Sequence, residues 1–148
     1  PRRRNLILQG EMGSGKTHLA YAVAGYCLQH GTAVYAKNEP DLLSALREGF
    51  KHDTFEEWLR ELKQTPLLVI DDFGAAAETD WTKQTLFQIV DFRYRQHLPM
   101  VITTNWDVAS EMGSNRVLSR LCEGCEVEGG RALVVQMPCG NFRMGKKE

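Results

Sequence analysis

The sequence predicts a three-layer α/β/α domain built around a parallel sheet. Short apolar runs alternate with longer amphipathic segments, the order that sets a helix after each strand. One of these runs, Leu67-Leu68-Val69-Ile70, is apolar without alternation, as a strand covered on both faces requires. The chain's 148 residues are one domain's worth, and 43% hydrophobic content is enough to build a core.

Each element has its own signal. Asn5–Gln9 reads as a buried strand ended by a glycine-rich turn. Thr17–Gln29 follows as a helix, with Leu19, Ala20, Val23, Ala24 and Cys27 at helical spacing. Gly31 closes it, and Thr32–Ala36 is the second strand. Asp41 is placed to cap a helix over Leu42–Phe50, and Thr54 with Glu57 forms a capping-box pattern for Phe55–Lys63. Pro66 introduces the third strand, which ends in Asp71 and Asp72. Thr82–His97 is a long helix with Leu86, Phe87, Val90 and Tyr94 as its inner stripe. Met100–Thr104 is the fourth strand, Val117–Leu121 a short helix and Ala132–Gln136 the fifth strand.

The first turn carries chemistry. Gly10-Glu11-Met12-Gly13-Ser14-Gly15-Lys16-Thr17 satisfies G-x-x-x-x-G-K-[ST] between a strand and a helix, with His18 continuing into that helix. Glycines let such a loop turn its N–H groups inward toward phosphates, and the helix N-terminus adds its positive end. Lys16 is then expected to reach the β- and γ-phosphates of ATP or ADP, and Thr17 to ligate Mg²⁺. Asp71 and Asp72 end a buried strand at the ligand edge of such a sheet. Asp71 is expected to hold Mg²⁺, and Asp72 to orient or deprotonate an attacking water. Asn105 ends the next strand, where an amide can hydrogen-bond that water or the γ-phosphate. Arg116 and Arg120 lie one helical turn apart, so they project from one face; a solvated basic face and a phosphoryl-stabilising pair fit that spacing equally.

Composition sets limits. A net charge of −1 gives no global pull toward nucleic acid, so any DNA contact needs a local patch. No apolar run approaches a membrane span, no signal peptide opens the chain, and a cytoplasmic location is expected. The abrupt start at Pro1-Arg2-Arg3-Arg4 points to native sequence further upstream. Cys122-Glu123-Gly124-Cys125 has the gap of a zinc half-site, with Cys139 downstream. A second paired half-site is missing, so these residues and Cys27 read as reduced thiols.

Taken in order, these motifs resemble the AAA+ ATPases, and within them the DnaC/DnaI helicase loaders and the related IstB transposition helpers. Gly10–Thr17 matches Walker A, Leu67–Gly74 Walker B and Val101–Asp107 sensor 1, while Arg116–Leu121 is similar to the box that carries the arginine finger. Thr79-Asp80-Trp81, Arg93-Tyr94 and Leu98-Pro99 also resemble loader sequence. The resemblance implies a five-stranded P-loop NTPase sheet of order 5-1-4-3-2, no full lid domain, and a single ATPase domain over residues 1–148. It implies that a partner-binding domain precedes this one in the native protein, and that residues 41–63 form an inserted helical element along a single-stranded DNA path. Arg47, Lys51, His52, Arg60 and Lys63 supply charge there, with Phe50 and Trp58 as possible stacking groups. Acidic neighbours offset that charge, and both aromatics fit core positions as well.

By the same resemblance Arg120 is the finger acting in a neighbouring subunit, Arg116 a second contact, and the chain a homo-oligomer in its ATP state. The expected partners are a replicative helicase, met through the absent region, and single-stranded DNA. Asp72 stands where most of the family has the longer Glu, which implies slow hydrolysis. Three rivals stand beside this reading: a transposition helper, which the core motifs barely distinguish; a small-metabolite P-loop kinase, against which Asp71-Asp72, Asn105 and the absent lid weigh; and an ATP-dependent module that does not hydrolyse, which Asp72 leaves open.

Overall fold

The computed structural model describes residues 5–123 and 132–138. Five strands, β1 (Asn5–Gln9), β2 (Val34–Asn38), β3 (Leu67–Phe73), β4 (Met100–Thr104) and β5 (Ala132–Gln136), pair in parallel in the order β2-β3-β4-β1-β5. That is the sheet order expected. Between them run α1 (Lys16–Gln29), α2 (Glu39–Gly49), α3 (Phe55–Gln64), α4 (Asp80–Arg95), α5 (Val108–Glu111) and α6 (Arg116–Cys122).

Strand alternation sorts the core into two layers. Leu8, Leu67, Val69 and Val101 face α1, where only small residues, Ala20 and Ala24, are buried against them. Ile7, Leu68, Ile70, Met100 and Ile102 face the other way, onto Leu42, Leu46, Leu59, Leu62, Leu86, Ile89, Leu118 and Leu121 of α2, α3, α4 and α6. Both faces of β3 are therefore covered, which is why its sequence shows no alternation.

Several local expectations are corrected. Asn38, not Asp41, caps α2: its side chain accepts from the Asp41 N–H at 2.8 Å, and Pro40 sits in the first turn where its missing donor costs nothing. Thr54 makes no side-chain cap on α3, whereas Thr79 and Thr82 form a capping box at α4. Helix α4 ends at Arg95 because His97 takes φ 55° and the Leu98 N–H closes on Arg93 O at 2.9 Å. Its inner stripe is rotated from the expected one: Ile89 and Arg93 are buried, whereas Phe87 and Tyr94 are only partly so. Leu19 points outward.

Arg93 is fully buried and is the bracket between layers. Its Nη1 donates to the carbonyls of Leu62, Lys63 and Thr65 at 3.0, 3.3 and 2.7 Å, and its Nη2 to Pro99 O at 2.8 Å. The α3 carbonyls belong to a helix end, which lacks internal partners, and the cation also suits that negative terminus. Burial pulls its pKa down to about 10, so it stays charged at neutral pH. Arg93→Met keeps the stem and removes every donor. The buried Leu62 carbonyl and the part-buried carbonyls of Lys63, Thr65 and Pro99 then lose this donor, and a loss of about 3 kcal/mol is expected, read from the denaturant midpoint.

Candidate nucleotide site

The sheet's C-terminal edge gathers the motif residues. Glycine at 15 is required, since it caps α1 with φ 88°, a left-handed conformation that side chains resist. Ser14 and Lys16 are buried by the turn, while Glu11, Met12 and His18 face outward. The Lys16 ammonium lies inside the loop, donating to Gly10 O at 2.9 Å, Glu11 O at 2.7 Å and Ser14 Oγ at 3.3 Å.

Thr17 and Asp71 come together from α1 and β3. The Thr17 hydroxyl donates to the Asp71 carboxylate at 2.9 and 3.1 Å. Thr103 of β4 donates to the same carboxylate at 2.5 Å and accepts the Asp72 N–H at 2.9 Å. One chain of hydrogen bonds thus runs from the loop helix through β3 to β4. Thr17 and Asp71 are hard oxygen donors, the chemistry Mg²⁺ takes alongside phosphate oxygens and water. Among the described residues no three His, Cys, Asp or Glu side chains cluster as a metal set. Cys122 is buried in the core, and Cys125 and Cys139 fall outside the described residues.

Asp72 differs sharply from Asp71. Asp71 is buried, but Asp72 is exposed and takes φ 52°, beside a register shift in the β3–β4 pairing between Ile70 and Phe73. An irregularity of this kind re-aims a side chain at the end of a strand. The next turn is tightly built, because a Cβ on Gly74 would meet the Trp106 ring at 2.5 Å. Asn105 follows β4 directly and is exposed.

Four residues were not singled out from sequence. Thr103 and Thr104 hold the β3 turn, Thr104 by donating to Phe73 O at 2.9 Å. Tyr21 is half-exposed on α1, one turn beyond Thr17; burial raises its pKa, and the charges of Asp71 and Asp72 raise it further. Glu39 is buried at the start of α2 and accepts the Gly74 N–H at 2.7 Å. The i+4 step from Thr17 was a usable signal for Tyr21, whereas a helix-start acid gave none for Glu39.

Arg116 and Arg120 sit on one side of α6, against α4. Arg116 is exposed with its guanidinium 4.6 Å from the Phe87 ring centroid. Arg120 lies 4.8 Å from the Tyr94 centroid and pairs with Asp91 at 3.1 Å and Glu123 at 2.6 Å. The hydrogen bond to Glu123 holds its pKa above the usual arginine value. Two cavities, about 660 and 470 Å³, flank the start of α6, and no residue of Gly10–Thr17 lines either. The aromatics of the 41–63 segment separate clearly. Trp58 packs on the core edge-on to Tyr35, but Phe50 is 55% exposed, stacked on Phe55 at 4.1 Å. Arg47 lies over the nearby Trp81 ring at 4.7 Å, while Lys51 and His52 both lean on Glu48.

Residues 1–118 match the family described as IstB-like ATP binding protein. The chain is similar to the replicative helicase loader DnaC of Escherichia coli (strain K12), 31% identical over 121 residues, 79% of this chain and 49% of the loader. It is also similar to the replicative helicase loader DnaI of Bacillus subtilis (strain 168), 28% identical over 131 residues, 88% of this chain and 42% of that protein. AMPPCP-bound DnaA from Aquifex aeolicus superposes with a TM-score of 0.78 at 25% identity, covering 94% of this chain and 42% of that one. The chain spans about half the length of the curated relatives it matches.

Proposed function

The chain belongs to the family of IstB-like ATP-binding proteins, and we propose that it is the ATP-hydrolysing domain of a helicase loader that assembles on single-stranded DNA. Its fold is that of the AAA+ P-loop ATPases. The observation that carries the ATPase reading is the hydrogen-bonded chain Thr17–Asp71–Thr103–Asp72, which ties the glycine-rich loop to the ends of β3 and β4, and the similarity to the two loaders supports the rest.

In this reading Lys16 and the loop amides hold the β- and γ-phosphates. A Mg²⁺ bound with the nucleotide would be held by Thr17 and Asp71 and would neutralise charge on the transferring phosphoryl group. Asp72, aimed outward by its turn, orients the attacking water and accepts its proton. Asn105 hydrogen-bonds the γ-phosphate and so distinguishes ATP from ADP. Arg120 completes the site of a neighbouring copy. An upstream domain met by the helicase belongs to the same proposal, and the similarity to the two loaders supports it.

Release of inorganic phosphate from ATP, measured with and without single-stranded DNA, tests the reading. Turnover that DNA accelerates is the expected result; phosphate passed to a metabolite, or no turnover, ends it. The family match favours one second reading, a transposition helper, in which duplex rather than single-stranded DNA stimulates. Phe50 is the residue we expect to meet DNA, as an exposed ring on a stacking platform beside Arg47. Base–aromatic stacking contributes about 1–3 kcal/mol, so Phe50→Ala should weaken single-strand binding about 5- to 160-fold. Trp58→Ala should instead lower the melting temperature. Fluorescence anisotropy with a labelled oligonucleotide separates the two effects.

A further inference from the structure

We propose that Glu39 is a positioning residue for Asp72, anchoring the Asp72–Gly74 turn from α2; the inference rests on the ATPase reading above. Burying a carboxylate is costly, and Glu39 is only 3% exposed with no ion pair among the described residues. Burial pushes its pKa up, and the backbone amides it binds oppose that rise. Its two oxygens accept the N–H groups of Gly74 at 2.7 Å and Ala76 at 3.4 Å.

The turn it grips is the one that aims Asp72. Asp72 has a left-handed backbone, φ 52°, which a non-glycine residue keeps only when its surroundings hold it, and Gly74 turns the chain beside it at φ 93°. From β4, Thr103 accepts the Asp72 N–H and Thr104 donates to Phe73 O. Trp106 closes over Gly74. These contacts hold the turn on its β4 side, and Glu39 holds it on the α2 side. Glu39 also opens α2, the first helix of the segment carrying Phe50, so it links that segment physically to the water-activating carboxylate.

Glu39→Gln keeps the shape and one acceptor; Glu39→Ala keeps neither. Misplacing a reacting group by about 1 Å can cost about 100-fold, so a turn loosened on one side should cost about tenfold. We expect kcat to fall about tenfold in the Ala variant and less in the Gln variant, with KM for ATP within about twofold. In the nucleotide-free protein, the amide resonances of Asp72 and Gly74 should move while those of Gly13–Thr17 hold. An unchanged kcat overturns the proposal, as does a KM or loop disturbance as large as the effect on kcat. If the wild-type chain hydrolyses no ATP, the ATPase reading fails on its own. The resonances then decide alone: a moved Asp72 supports the anchor, and an unmoved Asp72 overturns it.

Discussion

Lys16→Ala should raise the dissociation constant for ATP about a thousandfold and remove ATP-dependent assembly with it. The buried ammonium is held by the Gly10 and Glu11 carbonyls and the Ser14 hydroxyl. In the proposed complex it exchanges these neutral acceptors for phosphate oxygens. A charge-assisted hydrogen bond is worth about 1.5–3 kcal/mol, and two of them correspond to roughly 10²–10⁴ in affinity. Lys16 also braces the loop from within, so circular dichroism and thermal melting must accompany the titration. A variant that melts like the parent but no longer binds a fluorescent ATP analogue is the expected result. Unchanged affinity would remove Lys16 from phosphate binding. Assembly that survives without ATP binding would separate the two events.

The sequence made that loop legible because its chemistry is local. Glycines, lysine and threonine act within one turn between a strand and a helix, so spacing alone places them. Strands β4 and β5 were legible to the residue for a similar reason, as bounded apolar runs. What escaped depends on partners far along the chain. Glu39 and Gly74 lie 35 residues apart, and the rotation of α4 that buries Arg93 follows from carbonyls up to 31 residues upstream. The Asp72 turn is another case. Asp71-Asp72 reads as two like carboxylates, yet the register shift beside them buries one and exposes the other. Phe50 and Trp58 show the same limit, since both sit at helix-periodic positions and only the packing of Phe55 and Tyr35 tells them apart.

Arg120 carries the other large effect. Its guanidinium is occupied in its own chain, by Asp91, by Glu123 and by the Tyr94 ring. The pair with Glu123 is partly exposed and contributes about 0–1 kcal/mol, so a neighbour's phosphates can displace it at little cost, whereas the contact of Nε with Asp91 Oδ1 is shielded from solvent. Asp91 keeps Arg95 on its other oxygen, so Arg120→Ala should still fold, with some loss of stability, and bind ATP with parental affinity. It should nonetheless lose DNA-stimulated hydrolysis about a thousandfold, the low end of what a finger supplied by a neighbour contributes. Arg120→Lys should rescue little, because an ammonium cannot present the planar fork that spans two oxygens. Arg116→Ala should cost less than Arg120→Ala, since that side chain rests on Phe87 and is proposed as a second contact only. Mixing subunits gives the sharpest measurement. An Arg120→Ala subunit keeps its loop, and a Lys16→Ala subunit keeps its arginine, so each supplies what the other lacks. Turnover restored on mixing two inactive variants places Arg120 in a site shared between copies. Turnover absent from the mixture, or normal stimulation in Arg120→Ala alone, leaves the arginine as an anchor between α6 and α4.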